Sequence, residues 1–420
     1  MKRMLKILAL LLALAGGVVV VAALVIGVWY VGSKQPQRDG VANLKSLQAP
    51  VNVRYDARGV PHINAQNEAD LYRALGYVQA QDRLFQMEML RRLAQGELAE
   101  VLGPDVLALD KLFRTLGLRA HAQAVAAEMD STSPAVQALD AYLEGINSYQ
   151  AQHPAPMEFD LLAIQKRPFT RADSVAVAGY LAYSFATALK SEPALTLVRD
   201  KLGPDYLRVF DLEWQAQGVL NPSTANRMSP HDWANLNQVT QVSHEGLSRL
   251  GLPRWVGSNA WAVSGSRTAS GKPLLAGDPH VEYAAPGVWY EAHLSAPGFE
   301  LYGQYLALFP MALLGHNPQF GWGLTLLGND DIDLIAEKTD AAHPNHVWFD
   351  GGWVALTSRS ETIQVKGGEA VHLTLRHGPH GPIITDAFAD RLGVAPVAMW
   401  WAYLETENPL LDALYALNRA

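Results

Sequence analysis

The fold is decided around one short stretch, WVGSNAWAVSG at residues 255–265. On its own, a Gly-Ser-Asn triplet such as Gly257–Asn259 is typical of a turn that precedes a strand. We interpret it differently: the Gly257–Ser258 peptide bond is cut, and Ser258 becomes both the first residue of a new chain and a nucleophile. The support for this interpretation lies in the sequence on either side.

The composition indicates globular material with room for a large core. The chain has 420 residues, of which 49% are hydrophobic and 18% charged. This length suggests two or three domains, or one large α/β unit. The net charge of -8 argues against nucleic acid as a partner. The absence of cysteine excludes disulfides, thiolate metal sites and cysteine nucleophiles.

The N-terminus carries the basic residues Lys2, Arg3 and Lys6, followed by an uncharged apolar run from 7 to 31. A secretory apolar region has about 7–15 residues, whereas a membrane span needs about 20. The run is therefore long enough to span, and its basic side stays cytoplasmic. We predict that residues 1–38 form a membrane anchor and linker, with a cleaved signal peptide as the alternative. The rest would lie in the periplasm or on the outer face of the inner membrane.

The segment 39–215 is predicted to be rich in helix. Residues 51–55 alternate apolar and polar side chains as a half-buried strand does, and 62–65 form a second short strand. Asn67 then caps a long helix, and helical character returns at 135–149 and 172–189. The apolar positions of the first helix form a stripe with helical spacing: Leu71, Leu75, Val78, Phe85, Met89 and Leu93. His62 is interpreted as structural and is given no catalytic role.

The segment 216–257 differs from its surroundings. It is largely polar and contains Pro222, Ser223, Ser229 and Pro230. Such a composition indicates a connector whose removal would leave a core intact.

Several motifs from about Val51 onward occur together in one known family. They are VRYDARGVPHI at 53–63, GYVQAQDRLFQM at 76–87, GSNAW at 257–261, GDPH at 277–280, GHNP at 315–318, GWG at 321–323, NDDID at 329–333 and RHGP at 376–379. Each is weak alone, but together they are specific. On these motifs the sequence resembles the penicillin acylase (penicillin amidase) family of N-terminal nucleophile hydrolases.

The resemblance implies an α+β fold, the four-layer αββα sandwich, with a helix-rich α segment wrapped on it. It implies an exported precursor that cuts itself before a serine and loses a spacer peptide. Here the α chain would be 39–215, the spacer 216–257 and the N-terminal part of the β chain 258–420. The implied reaction is hydrolysis of linear amides, with penicillin-type compounds and N-acyl homoserine lactones as alternative substrates. No organic cofactor is expected.

The chemistry of an N-terminal serine fits this arrangement. A serine hydroxyl needs a base, and Ser258 would bring its own α-amine, whose ordinary pKa is about 7.7–8.0. Gly257 tolerates the strained backbone from which the hydroxyl attacks the preceding carbonyl. The rival is an ordinary serine hydrolase with a histidine base. Its G-x-S-x-G elbow is absent, because Val256 and Ala260 stand where the glycines should be.

The resemblance assigns further site residues. The backbone N–H of Leu326 corresponds to an oxyanion donor, and His280 would flank the amine of the nucleophile. A core leucine and a structural histidine are the respective alternatives. The acyl pocket is expected near Phe185, Val281 and Leu324.

A calcium site is also implied by the resemblance. Asp330, Asp333, the carbonyl of Ile332 and Glu192 from the α segment would supply hard oxygen ligands. A plain solvated acidic turn is the alternative. The ion would be structural and would tie the α and β fragments together.

The match leaves a second possibility open. The second oxyanion donor of the family would fall beyond Ala420, so we expect the fold to be incomplete at the C-terminus. Residues 408–420 form an amphipathic helix, and we expect its apolar stripe to lack a partner. The alternative function is a truncated or non-catalytic, membrane-tethered binding member of the same fold.

Overall fold

The structure, a computed structural model, describes residues 2–186, 188–210, 255–326, 331–388, 396–405 and 410–420. Its helices are α1 Lys2–Ser33, α2 Glu68–Gln95, α3 Ala99–Leu102, α4 Leu107–Leu116, α5 Leu118–Glu128, α6 Pro134–Gln152, α7 Met157–Leu162, α8 Arg171–Phe185, α9 Ala188–Leu202, α10 Ala402–Glu405 and α11 Leu410–Arg419.

The strands are β1 Asn52–Tyr55, β2 Pro61–Asn64, β3 Trp255–Val263, β4 Leu274–Val281, β5 Tyr290–Ala296, β6 Phe299–Tyr305, β7 Leu314–His316, β8 Gly321–Trp322, β9 Ile332–Ala336, β10 His346–Phe349, β11 Gly352–Ala355, β12 Thr357–Ile363, β13 Val371–Gly378, β14 Gly381–Pro382 and β15 Val397–Trp401. Helices thus dominate before residue 210, and strands dominate after 255. This mixture agrees with the predicted α+β class.

Helix α1 contains a segment with the length and composition of a membrane span. Leu14–Ser33 has 20 residues and a mean hydropathy of 2.4, and it is not buried against the rest of the protein. At about 1.5 Å per residue, this segment matches the thickness of a bilayer core of about 30 Å. A signal sequence has the same properties. Beyond its end, Lys34 Nζ donates to Asp160 Oδ2 at 2.7 Å.

Helix α2 is the central helix of the α segment. Asn67 caps it as predicted, because its side chain accepts a hydrogen bond from the backbone N–H of Asp70 at 2.8 Å. Leu71, Leu75 and Leu93 of the predicted stripe are fully buried. The helix predicted at 172–189 is interrupted: α8 ends at Phe185, Ala186 is extended, and α9 starts at Ala188.

The largest sheet joins the segments on the two sides of residue 258. Its strand order is β1-β2-β5-β6-β7-β8. Strand β2 is parallel to β5, while the other neighbours are antiparallel. Leu294 and Leu301 are fully buried in the core beneath this sheet. Backbone pairing between β2 and β5 would therefore hold two fragments together after a cut at 257–258.

The remaining described strands form small sheets, namely β3-β4, β10-β11, β12-β13-β14 and β15-β9. The four-layer arrangement stays a prediction. The predicted spacer, 216–257, lies outside the described residues except for its last three positions.

The prediction that the final helix lacks a partner was wrong. Leu411 and Leu414 on the apolar stripe of α11 are 7% and 8% exposed. Asn418 is buried, and its side-chain amide bonds both the N–H and the C=O of Ala312, at 2.8 and 2.9 Å. The partner surface comes from residues about 100 positions earlier, which periodicity within one helix does not reveal.

Candidate active site

The predicted cleavage site lies within a β-hairpin. Strand β3 runs through Gly257 and Ser258 and pairs antiparallel with β4, which places Gly257 opposite His280 and Ser258 opposite Pro279. The register shifts between Trp255 and Gly257, just before the predicted cut. The Gly257–Ser258 bond therefore lies in extended backbone beside an irregularity, and both residues are half-buried.

A segment from the large sheet crosses this hairpin. Trp322 in β8 is buried, and its indole N–H donates to the backbone carbonyl of Leu313 at 3.0 Å. The turn before β8 is held by Asn317, whose side-chain oxygen accepts from the N–H groups of Gln319 and Phe320 at 2.9 and 2.6 Å. These contacts fix the point from which residues 323–326 leave the sheet.

The crossing segment approaches the hairpin closely through Gly323. A Cβ on Gly323 would stand 3.1 Å from Cβ of Ala260 on β3, so only glycine fits without a shift. Three residues further on, the backbone N–H of Leu326 donates to Oγ of Ser258 at 3.0 Å. The structure thus brings together the predicted nucleophile and the predicted oxyanion donor, which are 68 positions apart in sequence.

His280 belongs to a polar cluster on the hairpin. Its Nε2 lies 2.8 Å from Oδ2 of Asp278, and Nδ2 of Asn259 lies 3.2 Å from the same oxygen. The hydrogen bonds from His280 and then Asn259 hold the pKa of the Asp278 carboxyl below its ordinary value. A Cβ on Gly257 would stand 3.3 Å from Nδ1 of His280, so this ring is beside the residue that precedes the nucleophile.

Asn259 and Asp278 were missed as functional candidates by sequence reasoning. The i, i+2 spacing of Asp278 and His280 on a predicted strand would have placed both on one face. Asn259 lies opposite Asp278 because of the register of the hairpin. That register could not be predicted from the sequence, so neither could the contact of the two side chains.

The three predicted pocket residues lie on different elements. Val281 ends β4 and is half-buried, and Leu324 lies in the crossing segment and is 43% exposed. Phe185 is the half-buried last residue of α8 in the α segment. The side chain of Leu326 is also 43% exposed. The acyl pocket near these residues stays a prediction.

The predicted metal ligands are partly brought together. Oε2 of Glu192 on α9 accepts from the backbone N–H of Leu334 at 3.3 Å, next to Ile332 and Asp333 on β9. Asp330 lies outside the described residues. Among the residues that are described, no group of three or more His, Cys, Asp or Glu side chains is placed to hold a metal ion. The oxygen donors at this position are of the type that Ca²⁺ prefers.

Comparison with known proteins shows the family of the chain that carries this hairpin. The penicillin amidase family matches residues 50–420, and the chain belongs to this family. Among its relatives, acyl-homoserine lactone acylase QuiP of Pseudomonas aeruginosa is 31% identical over 92% of this chain and 47% of its own length. Penicillin acylase 2 proenzyme of Pseudomonas sp. strain SE83 is 32% identical over 83% of this chain and 45% of its own length.

A solved structure, the thermostable penicillin G acylase of Alcaligenes faecalis in its orthorhombic form, is 25% identical. The match covers 38% of this chain and 29% of the acylase chain, with a TM-score of 0.35. The chain spans about half the length of the curated relatives it matches.

Proposed function

We propose that this chain is the precursor of an acylase, which cuts itself at Gly257–Ser258 and hydrolyses linear amides through an acyl-enzyme on Ser258. The observation that carries the proposal is the hydrogen bond from the Leu326 N–H to Oγ of Ser258. Membership of the penicillin amidase family supports it.

In the cutting step, Oγ of Ser258 attacks the carbonyl carbon of Gly257 and the C–N bond breaks. The Gly257 acyl group is then an ester on Oγ, and the nitrogen of Ser258 has become an amine. Water hydrolyses this ester, which frees the Gly257 carboxylate and the Ser258 hydroxyl. Cleavage thus produces the base that turnover needs, since the α-amine titrates near neutral pH.

In turnover, the α-amine accepts the Oγ proton as Oγ attacks the substrate carbonyl. The oxyanion that forms is separated from Oγ by a single carbon atom, within reach of the donor on Leu326. The protonated amine gives its proton to the leaving nitrogen, and water then hydrolyses the acyl-enzyme. The substrate amide becomes a carboxylic acid and an amine.

For the substrate we propose an N-acyl compound of the homoserine lactone or penicillin type. The names of the two relatives support these classes. Leu324 and Leu326, on the segment whose backbone donates to Ser258, have exposed apolar side chains that suit an acyl chain more than a charged group.

We further propose that the protein is exported with α1 as anchor or signal peptide, and that it has the four-layer fold of its family. The span at Leu14–Ser33 supports export. Glu192, the Ile332 carbonyl and Asp333, with Asp330, would hold a structural Ca²⁺ that ties the fragments together. A chelator should then lower the melting temperature of the cut protein, and added Ca²⁺ should restore it.

The test of cleavage is a time course of the purified chain by intact mass and N-terminal sequencing. We expect two fragments, the second starting at Ser258. Ser258→Ala should stay uncut and Ser258→Cys should cut slowly, whereas Ser264→Ala on the same hairpin should cut normally. A parent chain that stays uncut, or a Ser258→Ala chain that is cut at the same bond, would overturn the proposal.

A second measurement separates the α-amine from a histidine base. One residue added in front of Ser258 in the processed protein removes the amine from its place. Turnover of an acyl-chain panel should then be abolished. Retained turnover would favour an ordinary serine hydrolase.

A further inference from the structure

The contacts of the hairpin distinguish its two faces. On one face, Oγ of Ser258 accepts the hydrogen bond from Leu326. Ala260, two residues along the same strand, lies under Gly323 on that face. Because side chains alternate along a strand, residues 258 and 260 share a face. The nucleophile and its oxyanion donor thus lie together on this side, called the nucleophile face.

The opposite face carries the polar cluster. Asn259 contacts both Asp278, at 3.2 Å, and His280, at 3.1 Å, so these three side chains lie together. Gly257 and Asn259 are two residues apart on the strand, so they lie on the same face. A Cβ built on Gly257 would stand 3.3 Å from Nδ1 of His280. His280 therefore does not share a face with the Ser258 hydroxyl. It faces the backbone just before the nucleophile from the other side.

The distances in the cluster assign the proton of His280 to one ring nitrogen. The shortest contact of Nε2 is the carboxylate oxygen Oδ2 of Asp278, at 2.8 Å, and a carboxylate can only accept hydrogen bonds. We therefore assign the N–H to Nε2, and Nδ2 of Asn259, 3.1 Å from Nε2, then donates to the same carboxylate oxygen and not to the ring. A neutral imidazole has a single N–H, which is then on Nε2. Nδ1 is left with its lone pair, and this is the atom beside residue 257.

We propose that Asp278, assisted by Asn259, is a positioning residue that holds His280 with its Nδ1 lone pair toward the Ser258 α-amine created by cleavage. This inference rests on the proposed function. In an extended strand the backbone nitrogen of Ser258 lies between the two faces, and Nδ1 of His280 is beside the preceding residue. When the amine donates one N–H to His280, its own lone pair can point to the nucleophile face, where Oγ gives up its proton.

The exposure of the cluster separates this role from a structural one. The side chains of His280 and Asp278 are 41% and 57% exposed. Even an exposed ion pair contributes little to stability, and an exposed hydrogen bond between a carboxylate and a neutral ring is not expected to contribute more. Substitution of Asp278 should therefore leave the fold intact and change only the orientation and tautomer of His280.

The first test uses the uncut Ser258→Ala chain, so it does not depend on cleavage. The ¹⁵N chemical shifts of the His280 ring, assigned with His280→Gln, report the tautomer. We expect Nε2–H in this background and a mixture of tautomers after the added change Asp278→Ala. Equal tautomer populations with and without Asp278, or an Nδ1–H form throughout, would overturn the proposal.

The second test is turnover by the cut protein. Asp278→Ala should lower kcat by about ten- to a hundredfold, the range found for partners that orient histidines at metal sites. KM should stay within about twofold, because substrate binding is untouched. Asp278→Asn, which keeps an acceptor oxygen, should recover much of the loss. The matched control is Asp340→Ala, since Asp340 pairs with His343 at 3.5 Å and is similarly exposed.

An unchanged kcat in Asp278→Ala would overturn the role of Asp278 in turnover. A parent chain that neither cuts nor turns over substrate would instead contradict the proposed function. The tautomer measurement would still decide whether Asp278 positions His280.

Discussion

The helical region, α2 to α8, and the β3–β4 hairpin both carry carboxylates paired with basic side chains, but in opposite environments. In the helical region, Glu88 is fully buried and accepts hydrogen bonds from Arg91 and Arg92, the latter at 2.6 Å. On the hairpin, Asp278 and His280 are paired but largely open to solvent. The two groups differ in burial, which decides how much each contributes to stability.

The difference teaches where this protein can change without unfolding. A buried charge that loses its partner is costly, whereas an exposed pair is worth little. Glu97 illustrates the first case. Burial raises the pKa of its carboxyl, but the hydrogen bond and charge of Arg167, together with the charges of Arg119 and Arg114, outweigh burial, and the pKa lies below its ordinary value. The paired charges of the helical region therefore stabilise the fold, whereas the exposed charges of the hairpin can be changed without unfolding the protein.

The largest expected effect follows removal of the buried carboxylate. Glu88→Ala removes the buried carboxylate that Arg91 and Arg92 share, and leaves Arg91 with Asp173 at 3.7 Å and Arg92 with Glu100 at 2.7 Å. The free energy of unfolding should fall by about 3–5 kcal/mol, measured by urea unfolding. Glu144→Gln, which changes a 44% exposed partner of Arg73, is the control and should have little effect. Similar losses in the two variants would remove the distinction drawn from burial.

The crossing segment should respond in rate and not in stability. Gly323→Ala puts a methyl group against Ala260 and displaces the N–H of Leu326 from Ser258. Removal of an oxyanion donor costs about 10²–10³ in rate, so this partial displacement should slow cleavage by about ten- to a hundredfold. Gly352→Ala, at a glycine with open space around it, should cut at the parent rate. Parent-rate cleavage in Gly323→Ala would contradict the role of this approach.

The final helix tests whether it belongs to the stable core. Asn418→Ala removes both hydrogen bonds to the buried peptide groups of Ala312. The expected loss is about 2 kcal/mol of unfolding free energy, because a buried N–H and C=O lose their partners. Asn345→Ala, at an exposed turn, would be a poor control, because the φ of Asn345 is +60° and alanine is disfavoured in that conformation. Gln319→Ala in the exposed β7–β8 turn is the better control, and a loss as large there would point to a general effect.

Acid should weaken the helical region through Glu97. Its pKa is lower in the folded state than in the unfolded chain, so its contribution is present above the unfolded pKa and is lost as pH falls through the folded pKa. At pH 7, Glu97→Gln should cost about 1–2 kcal/mol, and the gap between variant and parent should close in acid. Urea unfolding at pH 7 and pH 3 measures this gap. A gap that widens in acid would contradict the assigned direction.

The smallest effect is expected on the hairpin itself. Asp278→Ala removes exposed hydrogen bonds to His280 and Asn259. Because exposed contacts of this kind, ion pairs included, contribute little, the unfolding free energy should change by less than about 0.5 kcal/mol. Thermal melting and urea unfolding check this on the uncut Ser258→Ala chain. A loss above about 1.5 kcal/mol would break the comparison, because the cluster would then be part of the stable core.

Local elements could be predicted well from neighbours in sequence. The Asn67 cap and the buried positions of α2 follow from side-chain chemistry and period. The two short strands at β1 and β2 follow from alternation and the turn between them. The membrane-length segment of α1 follows from composition alone.

Contacts across the chain were harder to predict. The partner of α11 was missed because Ala312 and Asn418, which form the contact, lie 106 positions apart in the sequence. The acidic ligands proposed near β9 depend on where α9 lies against that strand, and Glu192 meets Leu334 across 142 positions. No periodicity within either element contains that information.

The sequence by itself determined the local elements and, through its motifs, the family and the identity of Ser258, His280 and Leu326 as candidates. Only the tertiary structure decided that Leu326 donates to Ser258 while His280, with Asp278, occupies the other face of the hairpin. The physical reason is that helices and turns depend on neighbours in sequence. The position of the crossing segment instead depends on Trp322, buried in a sheet built from both halves of the chain.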